Sequence, residues 1–156
     1  MPTPSADDEL PIDPDQSPAP GRVRMAPVAA VAAGGALGAA ARYQVGRWLV
    51  PGPGHLPWAT LFVNLTGSFA LGIVTVVLVE RFPTARYARA FIAVGAIGAY
   101  TTMSTLSVDT DVLVRDGHTT TAVVYLLVSL VGGLAAAWGG ILLGSRLVPP
   151  RQGVAP

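Results

Sequence analysis

The chain alternates between long apolar stretches and short polar ones. Four of the apolar stretches approach or exceed 20 residues, the length a helix needs to cross roughly 30 Å of hydrocarbon. They cover residues 27–50, 57–79, 87–108 and 119–147, joined by "PGPGHL", "ERFPTAR" and "DTDVLVRDGH". Pro27 and Pro57 fall in first helical turns, where a missing N–H is harmless. Trp58 sits where an aromatic ring would meet the membrane surface. The pattern predicts an all-α membrane protein of four transmembrane helices with both termini on one side.

Composition agrees. Of 156 residues, 51% are hydrophobic and 12% charged, with a mean hydropathy of +0.53, too apolar for an ordinary soluble domain. Without cysteine there is no disulfide, thiolate metal site or cysteine nucleophile in the chain. His55 and His118 lie in connections with no partner at ligand spacing, which favours a solvated role over metal binding. Residues 1–25, rich in Pro, Ser and acidic groups, predict a disordered cytoplasmic tail, and 149–156 a flexible C-terminal one, leaving 26–148 as the membrane domain. No basic n-region precedes an apolar run at the very start, so the first span is expected to be retained. Nothing points to nucleic acid; the surroundings are membrane lipid.

Charge adds an orientation. Arg22, Arg24, Arg81, Arg86, Arg89, Arg146 and Arg151, seven in all, fall on the side of the termini, against Arg47 and Arg115 on the other. The positive-inside rule then places the termini in the cytoplasm, in a multi-pass protein of the cell membrane.

Polar groups inside the spans carry the functional signal. Thr60, Asn64 and Ser68, at i, i+4 and i+8, share one face of the second span. An unsatisfied Asn amide in hydrocarbon costs several kcal/mol, so Asn64 either glues helices together or lines an aqueous path, and the stripe favours the path. Tyr125 and Ser129 share a face of the fourth span, followed there by Gly133. Arg42 lies within the first span and either snorkels or borders a vestibule. No span carries a mid-membrane Asp or Glu, which disfavours a small multidrug or cation antiporter, because proton coupling would need such a carboxylate. The glycines of the first and fourth spans predict close helix packing.

In the third span, "GAIGAYTTMSTLS" (95–107) gathers glycines and hydroxyls that weaken a helix and can satisfy freed backbone groups. A helix broken there would expose carbonyls suited to a monovalent cation, and N–H and hydroxyl donors suited to an anion. An ion site follows; the ion does not.

Three ordered segments, "GGALGAAARY", "ATLFVNLTGSFALG" and "GAIGAYTTMSTLS", resemble the fluoride-channel family called Fluc or CrcB. The resemblance implies a passive fluoride channel, no enzyme, built as an antiparallel, dual-topology-type dimer with a broken third helix. It implies a structural Na+ held by main-chain carbonyls, here those of Gly98 and Thr101. It also implies a fluoride pathway through Asn64, Thr60, Ser68, Ser107, Tyr125 and Ser129, with Arg42 as vestibule or scaffold. Two pathway positions depart from the family: Met103 and Leu106 stand where it usually has Phe, so ring edges are lost. The biased arginines and missing rings together favour a single orientation and an oppositely oriented paralogue as second subunit. A dual-topology homodimer is the alternative, and a non-conducting structural subunit a third reading.

Overall fold

The structure, a computed structural model, describes residues 25–50, 52 and 54–148. The expected tails therefore lie outside the described residues, except for Met25, which is helical and opens the first span. Among the described residues every regular element is helical. α1 (Met25–Trp48) and α2 (Trp58–Glu80) are uninterrupted. The third span is composite. It begins with α3 (Arg86–Ala88), continues without a bend in φ/ψ through a π-helical segment, π1 (Arg89–Ile97), and ends its first half as α4 (Gly98–Tyr100). After a break it resumes as α5 (Met103–Arg115), and α6 (Thr119–Leu147) completes the chain. Four segments, 25–48, 58–80, 86–115 and 119–147, are long and apolar enough to cross a membrane.

The break falls within the glycine and hydroxyl stretch. Thr101 (φ −77°, ψ 159°) and Thr102 (φ −152°, ψ 122°) are extended. The 109–118 segment differs from expectation: the helix does not stop at Val108 but continues for two turns to Arg115. Leu106 and Leu113 are buried at heptad spacing on one face of α5, which gives those turns a packing reason to form. An Asp111–Arg115 ion pair of 2.8 Å spans i to i+4 on the outside. The connection to α6 shrinks to three residues, turned by Gly117 at φ +82°.

The most extensive packing is between spans that are not neighbours in sequence. α1 runs alongside π1 and α4, while α2 runs alongside α6; α1 and α2 barely meet. Both pairs are parallel. Thr60 lies level with Tyr125, and Gly72 level with Gly140. Glycine makes each contact possible. A Cβ on Gly34 or Gly38 would collide with the carbonyl oxygens of Phe91 and Ala96, and one on Gly140 with that of Phe69. Ala29 and Ala33 of α1 are exposed. Much of the apolar surface also faces outward, including Leu37, Val94, Met103, Leu130, Leu134 and Trp138.

Gly38→Val should therefore separate α1 from π1 and abolish a cooperative thermal transition in detergent, because Ala96 offers backbone and no side chain that can yield. Gly46→Ala, with nothing within 4 Å of its Cβ, should be neutral or stabilise by up to about 1 kcal/mol.

Candidate functional site

A broken helix leaves peptide groups without partners, and in lipid no water replaces them. Here α2 supplies the replacement. Asn64 Nδ2 donates to the Thr102 carbonyl at 2.9 Å, and the Thr102 N–H donates to Asn64 Oδ1 at 2.8 Å. The side-chain amide thus pairs with one peptide unit much as a neighbouring strand would. Thr102 then caps α5: its Oγ1 accepts from the Thr105 N–H at 3.1 Å and meets the Thr105 and Ser104 hydroxyls. On the other side of the break, Thr101 Oγ1 donates back to the Ile97 carbonyl. From α1, Arg42 Nη1 reaches the Thr101 carbonyl at 3.4 Å.

These bonds bear on Gly98 and Thr101. In a continuous helix their carbonyls would accept from the N–H groups of Thr102 and Thr105, four residues on. Both donors are engaged elsewhere, by Asn64 and by the Thr102 hydroxyl. Gly98 is exposed on this chain. Two main-chain oxygens with diverted donors are the ligand type that hard monovalent cations take. The long Arg42 contact occupies one side of the Thr101 oxygen, and a carbonyl has two lone pairs.

Beside the break lies a groove of about 560 Å³ between α2, α5 and α6. Asn64, Ser68, Thr101, Thr102, Met103, Leu106, Ser129 and Gly133 line it, with leucines and Ala137 completing a largely apolar wall. Ser129 is buried, and its Oγ has no hydrogen-bond partner among the described residues. Leu106 is buried, whereas Met103 is 76% exposed. Of the polar positions proposed for the pathway, then, Asn64, Ser68 and Ser129 meet in one groove. Ser107 does not: it is exposed, and its hydroxyl donates to the Met103 carbonyl one turn back. Thr60 and Tyr125 lie outside the groove lining, one helical turn from Asn64 and from Ser129.

What occupies Thr60 and Tyr125 is a carboxylate. Asp109 Oδ2 accepts from Thr60 Oγ1 at 2.7 Å and from the Tyr125 hydroxyl at 3.3 Å. Tyr125 is fully buried and Thr60 5% exposed, so the acid ties α2, α5 and α6 together at the far end of the groove. This corrects the sequence reading at one point: it ended the span at Val108 and left Asp109 to the connection that follows. The signal was there: Asp109 falls between Leu106 and Leu113 on one helical face. Asp109 falls in the last third of the 86–115 span, so the middle of the spans still holds no carboxylate among the described residues.

A family model described as "CrcB-like protein, Camphor Resistance (CrcB)" matches residues 29–141. The chain is 42% identical over 130 residues to "Fluoride-specific ion channel FluC 3" of Streptomyces avermitilis, covering 83% of this chain and 64% of that relative, slightly less than two thirds of its length. It is 41% identical over 116 residues to "Fluoride-specific ion channel FluC 2" of Nocardia farcinica, covering 74% of this chain and 80% of the relative. It is 44% identical over 118 residues to "Fluoride-specific ion channel FluC" of Nitrobacter winogradskyi, covering 73% and 91%.

Asp109→Leu should cost about 1–3 kcal/mol for each hydroxyl left buried without an acceptor, read as a lower unfolding midpoint. Asp109→Asn keeps an oxygen toward Thr60 and should cost less. Equal losses in the two variants would mean that the hydroxyls do not depend on the acid.

Proposed function

Since the chain belongs to the CrcB-like family, we infer that it is a subunit of a fluoride-specific ion channel that lowers cytoplasmic fluoride by passive export. The chemistry runs from a protonation equilibrium to a gradient. HF crosses lipid from an acidic exterior and ionises in the more neutral cytosol, and the trapped anion leaves down its own gradient. No bond is made or broken on the protein, so there is no catalytic residue. Fluoride is small and strongly hydrated, and a path for it must offer hydrogen-bond donors in place of water. The observation that carries the reading is the buried, unpartnered Ser129 hydroxyl in a groove that also holds Asn64 and Ser68. Asn64 retains a second amide N–H beyond the one given to Thr102, and the first turn of α5 begins beside it, where the N–H groups of Met103 and Ser104 have no acceptor within that helix.

The reading extends to an assembly of two subunits, which the incomplete carbonyl set of one chain supports. Gly98 and Thr101 offer two carbonyls, and a second subunit related by a pseudo-two-fold axis would bring the matching pair, making a set fit for a structural Na+. Such an ion would neutralise carbonyl dipoles turned toward each other and fix the subunits together. The antiparallel arrangement requires both orientations, and seven arginines against two oppose that in a single sequence. The second subunit is therefore an oppositely oriented paralogue that supplies the aromatic edges absent at Met103 and Leu106, and this chain keeps its termini in the cytoplasm. Numbered names among the relatives accord with more than one such chain in an organism. The exposure of Met103 on the groove favours a second reading, a structural subunit whose own groove does not conduct.

Reconstituted alone in liposomes, the chain should give little fluoride efflux on an ion-selective electrode, and co-purified with its paralogue it should give rapid, selective efflux. In that assembly Ser129→Ala should slow flux about tenfold or more, because a hydrogen bond to a charged group is worth about 1.5–3 kcal/mol. Rapid efflux from the single gene product would remove the heterodimer reading. Flux indifferent to Ser129→Ala and to Met103→Phe with Leu106→Phe would favour the structural one.

A further inference from the structure

Asn64 commits both ends of its amide to a single peptide unit, that of Thr102, at 2.9 and 2.8 Å. Interhelical adhesion alone would be served by either bond. Using both holds Thr102 in extended geometry (φ −152°, ψ 122°) and captures the one N–H that would otherwise return to the Gly98 carbonyl. The second half of the device depends on the first. With Thr102 extended, its hydroxyl stands at the N-cap position and takes the Thr105 N–H, the donor that would otherwise serve Thr101. We propose that Asn64 is a positioning residue for the cation site: by clamping the Thr102 peptide it keeps the Gly98 and Thr101 carbonyls out of the helical ladder and available to Na+. The proposal rests on the sodium reading given above and deepens it. It gives Asn64 a task at the ion that holds the assembly, besides any contact with the anion that passes.

Geometry sets the consequence of removing the clamp. Without Asn64, the Thr102 N–H is a buried donor in a chain surrounded by lipid, and the nearest acceptor by helical connectivity is the Gly98 carbonyl. The helix closes over its own break, and the oxygen is lost to the cation. Asn64→Asp is different, because a carboxylate still accepts from the Thr102 N–H although it cannot donate to the carbonyl.

The test is thermal unfolding of the full chain in its purified assembly, in detergent, with Na+ titrated against N-methylglucamine at constant ionic strength. Wild type should gain stability with Na+. Asn64→Ala should need about tenfold more Na+ or more for half of the gain, and Asn64→Asp should keep a Na+-dependent rise. Ser145→Ala, on the exposed side of α6 with its hydroxyl given to the Ile141 carbonyl, should titrate as wild type. If the alanine variant does not fold, Asn64→Leu, which keeps much of the side-chain volume but offers the Thr102 N–H no acceptor, takes its place with the same expectation. A variant that melts lower at every concentration but keeps the wild-type half-point would make Asn64 an adhesive only, overturning the proposal and leaving the sodium reading intact. Wild type indifferent to Na+ would overturn both.

Discussion

Hydrocarbon does not hydrogen-bond, and the interrupted third span can exist only because another helix answers its peptide groups. Asn64 and Thr102 form that answer, and much of the site is arranged around it. The pair brings α2 against the break, sets the first turn of α5, and through α5 carries Asp109 to Thr60 and Tyr125. A net hydrogen bond is worth only about 0.5–1.5 kcal/mol in ordinary surroundings, but an unmade one in lipid costs several times that. The interaction matters less for what it adds than for what its absence would expose.

Glycine is the second constraint, and it acts on backbones rather than side chains. Where Gly34 and Gly38 meet π1, and Gly72 meets α6, main-chain atoms of one helix lie where a side chain would otherwise be. Such contacts do not depend on the hydrophobic effect, which is absent between helices already in an apolar solvent. They leave the larger apolar side chains free to face outward, toward lipid or a second subunit. Outward exposure of residues such as Leu130, Leu134 and Trp138 would be a liability in water and is the expected state here.

Much of this is legible in the amino-acid sequence, for reasons particular to each element. Span lengths follow from bilayer thickness, so the fourth span matches its expected bounds and the others shift by one or two residues at most ends. The break is written in residues that weaken a helix and residues that repair one. The end of α5 was hidden because acidic and basic residues after Val108 look like a loop, whereas the leucines among them hold a helical face. Asp109 was lost with it, since a carboxylate's role depends on hydroxyls contributed by α2 and α6. No side-chain pattern marks π1, where the Gly98 N–H bonds to the Ala93 carbonyl five residues back. The stripe of Thr60, Asn64 and Ser68 was visible as a stripe, but not its division into a carboxylate partner, a backbone clamp and a groove wall.

The crossed pairing of spans bears on how the bundle comes into being. α1 finds its partner only when residues 86–100 have been made, and α2 waits for α6, so neither of the first two helices has a packed neighbour when it is first synthesised. Contacts between elements so distant in the chain must bear the loop-closure entropy before they return any packing energy. Each helix therefore has to be stable in lipid by itself, through apolar length alone, and the arginines must orient it before any tertiary contact exists. Assembly becomes a late, concerted event that waits for the last span, and a ribosome that stopped after α5 would leave α2 without the face its glycine was shaped to meet.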